Sequence, residues 1–120
     1  LIMEIKELKN LIDVVAKLRA PDGCPWDREQ THKSLKPNML EEAYETIDAI
    51  DSNDMDNLRE ELGDVLLQVV LHAQIASEEG AFNIEDVAKS LKKNLFIVIR
   101  TFLEMKKYLQ HRMFLKIGIN

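Results

Sequence analysis

The stretch REELGDVLLQVVLHAQIASEEG, from Arg59 to Gly80, decides the fold. Beyond Gly63 it is apolar nearly all round, with Val65, Leu66, Leu67, Val69, Val70 and Leu71, which predicts a helix central to the molecule. The apolar run Val65 to Ala73 is interrupted by Gln68 and His72 and falls far short of the roughly 20 residues a membrane span needs. Asn53 or Asp54 supplies an N-cap for this helix, and Gly80 stands where helices commonly stop. Glu61, Asp64, Gln68 and His72 run along it as a narrow polar stripe, and polar groups on a buried helix need partners. For His72 the spacing favours a satisfied buried histidine over a metal ligand.

Working outward, a helix is predicted from near Pro37 to about Asp51, with Leu40, Ala43, Tyr44, Ile47 and Ile50 as its apolar stripe. An amphipathic helix precedes it within Ile2 to Ala20, carrying Ile5, Leu8, Leu11, Ile12, Val15 and Leu18 at helical spacing. Pro21, Asp22, Gly23 and Pro25 end that helix, so Pro21 to about Thr31 reads as a loop. The loop holds the single tryptophan, Trp26, suited either to a ligand or to packing against a helix end. A last helix begins around Asn83 and continues through Val87, Leu91 and Leu95. Four helices with short connections predict an all-α antiparallel bundle forming a single domain over residues 1–120.

Composition agrees. The chain has 16 Lys plus Arg against 21 Asp plus Glu, a net charge of −5, with 46% hydrophobic and 31% charged residues. That is too apolar for a disordered chain. It is also too acidic for a sequence-blind grip on a DNA or RNA duplex, which needs clustered Lys and Arg. The one cysteine, Cys24, has no internal disulfide partner, and no secretory leader pattern is seen, so a reducing cytoplasm is expected.

Between Glu41 and Asp64 acids crowd together, with only Arg59 to balance them. Glu42 and Glu45 are three apart on one predicted helix, and Glu61 and Asp64 three apart on the next. Two helices joined by a short turn can bring these pairs face to face. Four converging carboxylates require a cation, and an all-oxygen set selects a hard one, Mg²⁺ or Mn²⁺. The helical wheel opposes this for Glu42 and Glu45, which lie opposite the apolar stripe and belong in water unless a ligand or a second subunit covers them. Di-iron carboxylate chemistry lacks its Glu-x-x-His pairs, and zinc lacks its Cys and His ligands. Neither a G-x-S-x-G nor a Gly-rich phosphate loop is present.

The runs GCPWDREQTHKSLKPNMLEEAYETIDAI and REELGDVLLQVVLHAQIASEEGAFNIEDVAKSL closely resemble the MazG-type all-α nucleoside triphosphate pyrophosphohydrolases over about Leu8 to Leu91. Their Glu-Glu-x-x-Glu run corresponds to Glu41, Glu42 and Glu45, and their Glu-x-x-Asp to Glu61 and Asp64. The resemblance implies Mg²⁺-dependent cleavage of NTP or dNTP to the monophosphate and pyrophosphate in a homodimer or homotetramer. Packing between protomers would then cover the acid face of the wheel. It further implies metal ligation by Glu42, Glu45, Glu61 and Asp64, with Glu41 orienting water or a ligand carboxylate. Trp26, Asp27, Gln30, Thr31, Ser34 and Lys36 would line the nucleotide side, Trp26 stacking on a base and Lys36 meeting phosphate. The alternative is a non-catalytic helical module that oligomerises or binds nucleotides.

After about Leu91 the resemblance fails. Family members continue with a basic RHPHVFG-like segment and a later NW pair, whereas here residues 92–120 read KKNLFIVIRTFLEMKKYLQHRMFLKIGIN. Codons compatible with Leu95 to Asn120, read from each third base into the next codon, can spell IHRHPHVFGDEKVSTAQDVLKNWDK. Two bases of every shifted codon are largely fixed by the residues present, which points to a frameshift near Lys92 to Leu95. The carboxylates lie upstream of it, and the lost Arg, His, Lys and Trp lie downstream. The substituted tail is apolar and mildly basic, fit to extend the last helix or to add oligomer surface.

Overall fold

A computed structural model describes residues 5–118. Among them the regular structure is entirely α-helical: α1 (Lys6–Leu18), α2 (Pro25–Glu29), α3 (Lys36–Asp51), α4 (Met55–Glu78) and α5 (Ile84–Lys116). The all-α class and the helix positions follow the sequence. The part of the first predicted helix before Ile5 lies outside the described residues. The segment expected to be an open loop differs, for Pro25 at a first-turn position lets a short helix, α2, form there.

The chain forms two compact units, residues 1–84 and 85–120. In the first, α3 and α4 pack along each other as a helical hairpin, with α1 against α4. The turn at Ser52 to Asp54 reverses the chain: Asn53 takes a left-handed φ of 55°, and the Asp54 carboxylate accepts from the Asn57 amide at 3.1 Å to cap α4. At the other end of α4 the Ala81 amide donates to the Ala76 carbonyl at 2.9 Å, closing the helix over Gly80 at φ 73°.

Val15, Leu35, Val70, Leu71 and Ile75 form the core, with Leu11, Ile12 and Leu67 packed on it. Each such side chain contributes about 1.5–3 kcal/mol by leaving water. Ala49, Ala73 and Ala76 are fully buried, and their size lets backbones approach. The later half of α4 is thus as central as its apolar composition requires. Its earlier half is not, for Leu62 and Leu66 are exposed.

The face of α3 turned inward is the reverse of the one the hydrophobic stripe suggests. Met39, Glu42, Glu45, Thr46 and Ala49 are buried or half-buried, while Leu40, Tyr44, Ile47 and Ile50 are 51–63% exposed. Hydrophobicity alone misorients this helix because an acid pair occupies its seam with α4.

In the second unit, α5 is one continuous helix of 33 residues. From Ala88 onward every described residue of it is exposed, including Leu95, Phe96, Ile97, Val98, Ile99 and Phe102. The segment after Leu91, where the family resemblance ends, therefore continues the last helix as far as Lys116. No described helix is long and apolar enough to cross a membrane.

Candidate metal and nucleotide site

Glu42 and Glu45 sit one turn apart on α3, and Glu61 and Asp64 one turn apart on α4. Because the two helices form a hairpin, the pairs meet: one carboxylate oxygen from each of the four lies within 4.8 Å of the others. The glutamates are half-buried and Asp64 is exposed. Glu41, beside them in sequence, is exposed and stands outside this group.

The electrostatics record the crowding. Desolvation first, then a hydrogen bond and charge repulsion from Glu45, push the Glu61 carboxyl up to about 7. Glu42 is raised as well, by desolvation and then by the charges of Glu45 and Asp64. The Oε2 atoms of both Glu42 and Glu61 are buried without a hydrogen-bond partner. Buried carboxylate oxygens left in this way fit a hard divalent cation, which would satisfy them and remove the repulsion.

The residues implied for the nucleotide side fall on α2, on the turn leading to α3 and on the first residue of α3. Trp26 is 77% exposed on α2, so packing against a helix end does not account for it. The Gln30 side chain donates to the Trp26 carbonyl at 3.2 Å and accepts from Ser34 Oγ at 2.8 Å. The Thr31 amide donates to Ser34 Oγ at 2.9 Å, and the Ser34 amide to Thr31 Oγ1 at 3.0 Å. This reciprocal pair shapes the entry to α3 as a capping box does. Asp27 is half-buried, and Lys36, the first residue of α3, is exposed.

Two anchors of this segment escape a reading of the sequence. Arg19, only 7% exposed, donates from Nη1 to the carbonyls of Asp27 and Gln30 and from Nε and Nη2 to Glu78. Its position just after an amphipathic helix marks it as an ordinary basic C-terminus, with no local signal of burial. The second anchor joins His32, in the turn before α3, to His72 of α4 through their Nδ1 atoms at 2.8 Å. His72 is thus satisfied, as its place on the polar stripe requires. Gln68, between it and Asp64 on that stripe, is 5% exposed with Oε1 unpartnered among the described residues.

Residues 30–95 match the MazG nucleotide pyrophosphohydrolase domain family. Similar proteins include the nucleoside triphosphate pyrophosphohydrolase/pyrophosphatase MazG of Thermotoga maritima, 60% identical over 87 residues, or 72% of this chain and 34% of that protein. The nucleoside triphosphate pyrophosphohydrolase of Escherichia coli is 46% identical over 92 residues, 76% of this chain and 35% of that protein. The uncharacterized protein YabN of Bacillus subtilis is 53% identical over 89 residues, 74% of this chain and 18% of that protein. The chain therefore spans about a third or less of the length of these relatives.

Proposed function

The chain belongs to the MazG nucleotide pyrophosphohydrolase domain family, and from that premise we propose that it hydrolyses NTP or dNTP to the monophosphate and pyrophosphate. The observation that supports this reading is the convergence of Glu42, Glu45, Glu61 and Asp64 with two buried, unpartnered carboxylate oxygens. These four would hold Mg²⁺, or Mn²⁺ in its place. Bound there, the ion supplies charge neutralisation for a triphosphate and a lowered pKa for water.

The side chains have separable tasks. The four carboxylates fix the cation against a rigid hairpin, and without it they repel a triphosphate. Glu41, exposed and next to Glu42 in sequence, would orient water. Trp26 offers an open ring face to a base. The Thr31 hydroxyl and the Lys36 ammonium are the donors for sugar and phosphate, and Ser34, its own hydroxyl proton held by Gln30 Oε1, lines the same side.

The exposed apolar residues Leu40, Tyr44, Ile47 and Ile50 on α3, with Leu62 and Leu66 on α4, support assembly into a homodimer or homotetramer. The same surface favours the second reading, a non-catalytic module that oligomerises or binds nucleotides. Incubation with a panel of NTPs and dNTPs, with Mg²⁺ or with EDTA, separates the two. Pyrophosphate and monophosphate release, lost with EDTA, is the expected result. Nucleotide binding without turnover in any metal establishes the second reading.

A further inference from the structure

His32 and His72 form a contact that the carboxylate chemistry leaves unused. Their Nδ1 atoms are 2.8 Å apart, their ring centroids 5.1 Å apart, and their planes differ by 4°. The excess of the centroid separation over the nitrogen separation is what two imidazole radii supply when both nitrogens lie on the line between the centroids. Both rings contain that line and their planes are parallel, so the rings lie edge to edge in one plane rather than face to face.

That arrangement fixes the proton count. One Nδ1 carries a hydrogen and donates it into the lone pair of the other. The accepting ring is therefore neutral, while the donating ring is neutral or singly charged. The pair bears a charge of zero or one, never two. It is also closed to metals, since two bonds of about 2.0 Å cannot be placed between lone pairs that face each other across one hydrogen bond.

The surrounding charges rank the two rings. His32 Nε2 lies 3.5 Å from Glu79 Oε2 of α4, an ion pair only when that ring is charged. His72 is held below the ordinary histidine range, by desolvation first and then by His32. The other charged groups recorded at this end of α4 are Glu78 and its partner Arg19, with Arg28 of α2 adding to the field at Glu78.

We propose that His72 is a positioning residue for the nucleotide-side turn: through His32 it holds Thr31 to Ser34 against α4, and a second positive charge on the pair releases that turn. The proposal rests on the functional reading above in placing Thr31 and Ser34 at the nucleotide. Arg19 holds the Asp27 and Gln30 carbonyls just ahead of that turn, independently of the histidine pair, so release is confined to the turn that carries the hydroxyls.

Two measurements on the full chain test this. In the metal-free protein with ¹⁵N-labelled histidine, the expected result at pH 7.5 is one protonated and one bare Nδ1 coupled across the bond. Acidification should abolish the coupling and lower the protection of the amides at residues 31–35, taken against the base-catalysed intrinsic exchange rate at each pH, about tenfold, the loss of one hydrogen bond. Two rings that titrate independently without coupling, or protection at 31–35 that does not change with pH, would overturn the proposal whether or not the protein is an enzyme. With Mg²⁺ and nucleotide at pH 8, His72→Gln and His72→Phe should each raise KM about tenfold with kcat little changed. Turnover with KM unchanged in both variants refutes the positioning role, whereas no turnover in the parent chain refutes the functional reading and leaves the exchange measurement to decide the latch.

Discussion

Arg19, one residue past α1, holds Glu78, the last residue of α4, through two parallel hydrogen bonds of 2.8 and 3.0 Å. The guanidinium fork also serves two carbonyls, a geometry that lysine lacks. Arg19→Lys is expected to cost about 2 kcal/mol, read from the urea midpoint at constant slope. The Arg19 hydrogen bond holds the Glu78 carboxyl below its ordinary value of 4.5. Its contribution is thus present above pH 4.5 and is lost as the pH falls below that value. With the Glu78 side chain 38% exposed, solvent screening keeps this acid-linked part small.

The carboxylate cluster has the opposite pH dependence. Glu61 rises from 4.5 unfolded to about 7 folded, so its favourable contribution is full below 4.5 and disappears as the pH rises through 7. In EDTA the melting temperature should fall between pH 5 and pH 8 on this account. Added Mg²⁺ should raise it more at pH 8 than at pH 5. A metal-free melting temperature that climbs steadily over this interval would contradict the assignment.

Replacing Glu61 by Gln removes one charge and one ligand together. The metal-free melting temperature at pH 8 is expected to rise, the Mg²⁺-induced increase to shrink, and pyrophosphate release to cease. A variant that keeps turnover would exclude Glu61 from the site.

Gly23 tests the loop that launches α2. A Cβ there would overlap the backbone carbonyl oxygens of Lys17 and Leu18, which cannot step aside as a flexible side chain can. The Cys24 amide meanwhile bonds the Leu18 carbonyl at 2.8 Å, locking that approach. Gly23→Ala is expected to destabilise by about 1–3 kcal/mol in chemical denaturation, an overpacking cost.

The tail gives a genetic prediction. Coding DNA for Lys92 to Asn120 should permit the second reading frame that spells RHPHVFG and NW, and sequencing it decides the matter directly. A chain made in the restored frame should bind nucleotide more tightly than this one, measured as a lower KM at equal metal occupancy.

Much of this was legible beforehand, and particular residues show where it stopped. Asp54, Gly80 and Pro37 act through local backbone geometry, so the helix ends were readable. The pairing of Glu42 and Glu45 with Glu61 and Asp64 was readable too, since three-residue spacing on consecutive helices leaves few alternatives. The orientation of α3 was misleading, because Leu40, Tyr44, Ile47 and Ile50 outweigh the acids on any hydrophobic wheel. Arg19 and the partnership of His32 with His72 were invisible, for they join residues 59 and 40 positions apart through tertiary packing alone.

The four clustered carboxylates all come from one hairpin of consecutive helices, between Glu42 and Asp64. Contacts so close in sequence form early and fast when a chain folds. Here, however, closing the hairpin drives like charges together, which raises the barrier to that first step. Divalent ions in solution would screen the approach as it happens, so their principal kinetic effect falls on the rate at which α3 and α4 first zip together.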